Sequence, residues 1–163
     1  FLPLFGVAQG FQPLVGFNYG AGKMGRVAHS LKLALIVATM IATTFFALLQ
    51  IFTRPIIALF TTDPQLVEIG SVALRRAMAA IPLIGIQVIG ATYFLAIGKA
   101  LPSLLLNMSR QILFLIPLIL LLPLVWGVRG VWLAFPAADV LASLATGLLL
   151  IVAARRRTAE AGR

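Results

Sequence analysis

The chain has 163 residues, of which 61% are hydrophobic and 10% charged, with a formal net charge of +9 and a mean hydropathy of +1.09. A soluble domain has about 45–50% apolar and about 25% charged residues, so this composition excludes a water-soluble globule. The absence of cysteine and the single histidine exclude a disulfide framework, a thiolate metal site and a histidine cluster.

Four apolar stretches are long enough to cross a bilayer as helices. A hydrocarbon core about 30 Å thick takes roughly 20 mostly apolar residues in helical form, since no water satisfies free backbone groups there. Residues 1–17 have the pattern of the end of a further span, so we expect the chain to be part of a longer protein. The predicted architecture is an all-α, multi-pass membrane bundle over 1–154, with a basic tail over 155–163. The complete spans are predicted over residues 33–60, 77–97, 111–128 and 131–153.

The polar connections between the predicted spans carry unequal numbers of basic residues. Connections 18–32 and 98–110 and the tail together have nine Lys and Arg. The opposite side, formed by 61–76, 127–130 and Arg54, has four. The positive-inside rule predicts that the nine-residue side and the C-terminus are cytoplasmic. The expected location is the plasma (inner) membrane of the cell. A nucleic-acid partner is not expected, because it would need these charges on one soluble face.

Prolines within the spans indicate kinked helices. Proline removes a helical hydrogen bond and clashes with the preceding turn, which membrane helices tolerate where neighbours or cavity water satisfy the freed carbonyls. Asp63 followed by Pro64 is typical of an N-cap and a first helical residue, so the helix leading to span 77–97 is expected to begin outside the bilayer. The prolines within the spans are Pro82, Pro117, Pro123 and Pro136.

Asp139 is the only carboxylate inside a predicted span. A charge at that depth costs at least about 2.5–3.5 kcal/mol unless it is paired, solvated or protonated, so Asp139 should face the bundle interior. Helical spacing predicts a stripe of aromatic and hydroxyl residues around it. The pattern fits a proton- or cation-linked site, or a buried Asp that ties two helices together by hydrogen bonds. The residues sharing the stripe are Trp132, Phe135, Ser143 and Thr146.

Other polar side chains within the spans are candidates to line a transport cavity. Thr39, Thr43 and Gln50 recur on one face of span 33–60, which predicts either a cavity wall or packing with hydroxyls bonded to their own helix. Gln87 is the lone strongly polar residue of span 77–97 and would either contact substrate or cap a kink. Gln12, in the partial span, fits a cavity contact or a hydrogen bond between helices.

Catalysis finds no support in the motifs. The sequence has no HExxH, GxSxG or Walker A pattern, and one histidine without cysteine offers no nucleophile–base pair. No enzyme activity and no cofactor are therefore expected, and energy for transport has to come from an ion gradient or from another chain.

The run GVAQGFQPLVGFNYGAGK, residues 6–23, resembles a signature of the multidrug and toxic compound extrusion (MATE) family. Two further stretches are similar to the same family. They are IALFTTD at 57–63, and SRQ at 109–111 followed by GVWLAFP at 130–136. The resemblance covers nearly the whole chain in the right order.

This resemblance implies twelve helices in two six-helix lobes around a central cavity, with both termini cytoplasmic. The chain would contain the end of the eighth helix and helices nine to twelve, a partial C-terminal lobe. It also implies export of cationic or amphipathic drugs in exchange for H⁺ or Na⁺. The partners implied are membrane lipid, the small-molecule substrate and the N-terminal lobe, without which we expect no transport.

One departure from the family concerns coupling. Some members have a coupling carboxylate in the tenth helix, whereas 77–97 has no Asp or Glu, which leaves Asp139 or an acid in the N-terminal lobe. A lipid-linked oligosaccharide flippase of the same superfamily is an alternative, but its cavity would need several basic residues where the spans offer only Arg54. A membrane-embedded enzyme would need clustered acids or histidines. A non-transporting membrane scaffold is the third alternative.

Overall fold

A computed structural model describes the main chain from Leu2 to Ala161 and the side chains from Leu2 to Arg155. Within that range the chain forms helices joined by short turns and has no strand, as the sequence predicts. The helices are α1 (Leu2–Gly20), α2 (Met24–Ala58), α3 (Pro64–Ala77), α4 (Ile81–Ala96), α5 (Ala100–Met108), a π-helix (Ser109–Leu115), α6 (Ile116–Trp126) and α7 (Val128–Ala161).

Three continuous helical stretches are long and apolar enough to cross a membrane: Met24–Ala58, Ala100–Trp126 and Val128–Arg155. The pair α3 and α4, which is bent by 42° at its break, makes a fourth span if its two helices cross the membrane together. The prediction of an all-α, multi-pass bundle is confirmed, with three spans or, counting the bent pair, the predicted four.

The predicted connections 18–32 and 98–110 are wrong in extent. Only residues 21–23 separate α1 from α2, and only 97–99 separate α4 from α5. Hydropathy detects the part of a helix inside hydrocarbon, whereas a helix satisfies its own backbone and continues beyond it. In the same way the predicted turn 127–130 is shorter in the structure, where only Gly127 separates α6 from α7. Its φ of +55° is a conformation that favours glycine.

One of these corrections affects the distribution of charge. Arg110 belongs to the span Ala100–Trp126 and not to a connection. Removing it from the count leaves eight basic residues against four, so the predicted asymmetry remains. Helix α7 continues to Ala161, so most of the predicted tail is helical, while residues 162 and 163 lie outside the described residues.

The bend between α3 and α4 has the local signals that the sequence predicts. Asp63 caps α3 by accepting a hydrogen bond from the Gln65 N–H at 2.8 Å, and Pro64 is the first helical residue. Pro82 lies in the first turn of α4, where its missing N–H costs nothing. Arg54 forms an exposed ion pair with Glu68, which links α2 to α3.

Helix α4 is the centre of the bundle and packs against α1, α2, α5 and α7. Two glycines allow this close packing. A Cβ at Gly85 would lie 3.0 Å from the main-chain carbon of Ala38 in α2, and a Cβ at Gly90 would overlap the Thr146 methyl of α7. The buried residues of α4 are Ile84, Gly85, Gln87, Ile89, Gly90, Ala91, Tyr93 and Phe94.

The contact between Gly90 and Thr146 predicts a second-site rescue. We expect Gly90→Ala to destabilise the full-length protein by about 1–3 kcal/mol, because the added methyl overpacks the α4–α7 contact. Thr146→Ser removes the Cγ2 methyl that the alanine would meet, so the double variant should recover most of the loss. Thermal unfolding of the detergent-purified protein measures both effects. Equal stability of the single and double variants would contradict this packing.

Helices α6 and α7 form a hairpin with a smaller core. Leu115, Ala134 and Ala138 are its buried residues. A Cβ at Gly130 of α7 would overlap the main-chain carbonyl of Leu122 in α6, so the two backbones touch there. None of the eleven residues Ile116–Trp126 is buried within this chain, which leaves the apolar surface of α6 free for lipid or for the rest of the protein.

Candidate functional site

An ion pair between α7 and the π-helix lies inside the bundle. Asp139 is 3% exposed, and its Oδ1 accepts a hydrogen bond from Nε of Arg110. The Arg110 side chain is 29% exposed. Because each charge alone would be costly at membrane depth, the two neutralise each other in a charge-assisted hydrogen bond.

The π-helix positions Arg110 opposite Asp139. The N–H of Ile116 donates to the carbonyl of Gln111, five residues earlier, in place of the four-residue spacing of an α-helix. The widened turn directs Arg110 towards α7, while Gln111, Ile112 and Leu113 remain exposed. Short π-helical segments occur frequently at functional sites, where they re-aim a side chain.

Gln87 and Ser143 fix the main chain beside the ion pair. The Gln87 side-chain amide donates to the main-chain carbonyl of Asp139 and to Ser143 Oγ, each at 2.9 Å. Ser143 Oγ lies 2.7 Å from the same carbonyl and 3.1 Å from that of Leu83. The hydrogen bonds join α4 to α7 and hold the Asp139 backbone in place.

The structure brings two of the predicted cavity residues together. Gln87 and Asp139 meet, although Gln87 reaches the main chain of Asp139 and not its carboxylate. The stripe around Asp139 is buried as helical spacing predicts, since Ser143 and Thr146 are also buried. Trp132 and Phe135 are half-buried at its other end.

The remaining candidates lie elsewhere. Thr39 and Thr43 line a mainly apolar groove of about 970 Å³ between α2, α4 and α7. Gln12 lines a different pocket, of about 510 Å³, between α1 and the end of α4. Gln50 lies near the end of α2, where its amide donates to the Arg75 carbonyl at 3.3 Å. These residues therefore do not form one site with Asp139 within this chain.

Arg110 is the functional candidate that sequence reasoning missed. The helical rod Ala100–Trp126 has 27 residues, includes Arg110, and is apolar enough to cross a membrane, with a mean hydropathy of 2.1 in its most apolar stretch. Two opposite charges in neighbouring spans would then have suggested a pair. Among the side chains that the structure describes, no three His, Asp or Glu lie close enough together to bind a metal.

Comparison with known proteins agrees with this fold. The model of the MatE family matches residues 1–121. An FAD transporter of Shewanella oneidensis is 32% identical over 139 residues, which are 85% of this chain and 31% of that protein. The multidrug export protein MepA of Staphylococcus aureus is 24% identical over 159 residues, which are 98% of this chain and 35% of MepA.

Solved structures contain the same arrangement of helices. A MATE multidrug transporter, DinF-BH in complex with R6G, is 40% identical with a TM-score of 0.86, over 91% of this chain and 33% of that one. An outward-facing MATE family transporter (21% identity, 95% of this chain and 36% of that one) and an inward-facing one (22%, 96% and 37%) also superpose with TM-scores of 0.86. The chain spans about a third of the length of these relatives. Since the family model covers well over half of its residues, the chain belongs to the MATE family.

Proposed function

We propose that the full-length protein is a secondary active antiporter that exports cationic or amphipathic drugs in exchange for H⁺ or Na⁺. The observation that carries this proposal is the 40% identity, over 91% of the chain, to a MATE multidrug transporter solved in complex with R6G. The present chain is part of the C-terminal lobe and depends on the N-terminal lobe to complete the cavity. Without that lobe it does not transport.

The proposed mechanism is a movement of one lobe against the other. The chain superposes equally well on outward-facing and inward-facing MATE transporters, with a TM-score of 0.86 in each case. This supports a lobe that keeps its helix arrangement while access to the cavity alternates. The excess of basic residues on one side supports a cytoplasmic C-terminus in the plasma membrane.

Asp139 is the proposed coupling residue of this lobe. Its carboxylate is held by Arg110 through Oδ1, so a proton or a cation that binds the carboxylate competes with the guanidinium for its charge and weakens the pair. Loss of the pair would loosen the contact between the π-helix and α7, which gives ion binding a structural consequence. Gln87, bonded to the Asp139 main chain, would transmit that change to α4. Thr39, Thr43, Gln50 and Gln12 are proposed as cavity-lining residues of the complete transporter.

Asp139→Asn in the full-length protein tests the coupling role. We expect gradient-stimulated efflux of ethidium to fall roughly tenfold. The neutral amide cannot take up a proton or a cation in place of its bond to Arg110, so it cannot couple the gradient to transport. The measurement uses membrane vesicles under separately imposed pH and Na⁺ gradients, which also identifies the coupling ion. Asp63→Asn, at the exposed cap of α3, is the matched control. Unchanged efflux in Asp139→Asn would remove Asp139 from the mechanism, and absence of efflux in the wild type would contradict drug export.

Flavin nucleotides are a second candidate substrate class. The observation that favours them is the 32% identity to an FAD transporter. Flavin fluorescence in the medium of cells that overproduce the full-length protein distinguishes the two classes, since drug export alone would leave that fluorescence unchanged.

A further inference from the structure

Arg110 lies within a helix that is long and apolar enough to span a membrane, and it is only partly covered. It is the eleventh of the residues Ala100–Trp126, about 15 Å from the beginning of that helical rod and about 24 Å from its end. A guanidinium within a span is not stable against hydrocarbon, so we expect its exposed part to face water or another part of the transporter.

The ion pair uses one edge of the guanidinium. Asp139 accepts from Nε, and the terminal nitrogens Nη1 and Nη2 donate no hydrogen bond to the residues that the structure describes. Arginine carries five N–H donors in a planar fork, so four of them remain available. Such a fork matches the paired oxygens of a carboxylate or a phosphate.

The orientation of Arg110 is fixed by its ion pair with Asp139 and by the π-helix. Asp139 is buried, and its main chain is held by Gln87 and Ser143, both of which are also buried. The π-helix fixes the backbone of Arg110 on the opposite side of the pair. A donor group held in this way binds an acid group without first losing side-chain freedom.

We propose that the terminal nitrogens of Arg110 bind an oxyanion group, a phosphate or a carboxylate, of the transported compound. Asp139 is then a positioning residue for Arg110 as well as its counter-ion. This inference rests on the proposed transport function and extends its substrates to amphipathic compounds that carry an acid group.

Riboflavin and its 5′-phosphate, FMN, test the proposal because they differ only by a phosphate. Both are titrated by flavin fluorescence against the full-length protein in detergent. We expect the wild type to bind FMN roughly tenfold more tightly than riboflavin, as hydrogen bonds to a charged group imply. Equal binding of the two flavins by the wild type, or no binding of either, would overturn the proposal.

Variants of Arg110 and Asp139 should shift the preference for FMN over riboflavin in opposite directions. Asp139→Asn removes the charge that neutralises Arg110, so the preference for FMN should rise. Arg110→Gln combined with Asp139→Asn leaves no buried carboxylate without a counter-ion, and the preference should disappear. Arg54→Gln, in the exposed pair with Glu68, is the matched control and should keep the wild-type ratio. A fall in both Asp139→Asn and the double variant would indicate a structural role and overturn the proposal.

Arg110→Lys tests the proposal even if the double variant does not fold. Lysine keeps the charge and loses the planar fork, so this variant should bind FMN with a smaller preference over riboflavin than the wild type does. An unchanged ratio of the two affinities would overturn the proposal. Ethidium export by the wild type is measured separately. Absence of ethidium export would contradict the proposed antiporter function. The ratio of the affinities for FMN and riboflavin tests the role of Arg110 separately, because it measures binding and not transport.

Discussion

Arg110→Met in the full-length protein is expected to lower the free energy of unfolding by about 3–5 kcal/mol, because it leaves a buried carboxylate without its counter-ion. Methionine keeps much of the apolar volume of the arginine stem, so the effect reports the charge. Asp139 is 3% exposed and has little access to water that would replace the guanidinium. Thermal unfolding of the detergent-purified protein, followed by tryptophan fluorescence, measures the loss.

Two comparisons isolate the contribution of the buried pair. Arg54→Met breaks the exposed pair with Glu68 and should cost only about 0–1 kcal/mol. Arg110→Met combined with Asp139→Leu removes both charges and should recover most of the loss, since an apolar replacement of a buried pair is often neutral. A loss in Arg110→Met no larger than that in Arg54→Met would show that the pair is not buried in the complete transporter.

Gly130→Ala is expected to cost about 3 kcal/mol, at the upper end of what overpacking produces. The added methyl would overlap the main-chain carbonyl of Leu122 and lie 2.8 Å from the nitrogen of Pro123. A main chain cannot turn aside as a side chain can, so the hairpin of α6 and α7 has to open. Thermal unfolding of the full-length variant measures the effect.

Gly147→Ala is the matched control in the same helix. A Cβ at Gly147 meets nothing within 4 Å in this chain. Alanine should therefore stabilise the helix by about 0.5–1 kcal/mol, because glycine loses more backbone freedom on folding. The same effect in both variants would contradict the close approach of α6 and α7.

The properties of single helices could be predicted from the sequence. The length of each apolar stretch predicts a span, because the thickness of the hydrocarbon core sets the number of apolar residues that each helix needs. The stripe containing Asp139, Ser143 and Thr146 follows from helical spacing within α7, and all three residues are buried. Asp63 and Pro64 predict the beginning of α3 because capping depends on neighbouring residues only.

Contacts between helices could not be predicted in the same way. Gln87 and Asp139 are 52 residues apart, and no local pattern indicates that their helices meet. The prediction placed Arg110 in a connection because its charge shortened the apolar window, so its pair with Asp139 was missed. Thr39 and Thr43 share a helical face, but the groove that they line is completed by α4 and α7.

The π-helix makes the number of residues between Ser109 and Leu115 matter more than their identity. Deletion of one residue there would let the turn close to the α form while the helices on either side kept their relative orientation, because a π turn is an α turn that has absorbed one extra residue. The change would fall on the turn itself, so Arg110 would no longer be directed at Asp139 even though both residues remained in the chain. Substitutions among the exposed apolar residues of this turn leave the direction of Arg110 unchanged. A homologue with one residue more or fewer in this segment should therefore lack the ion pair between the residues that correspond to Arg110 and Asp139.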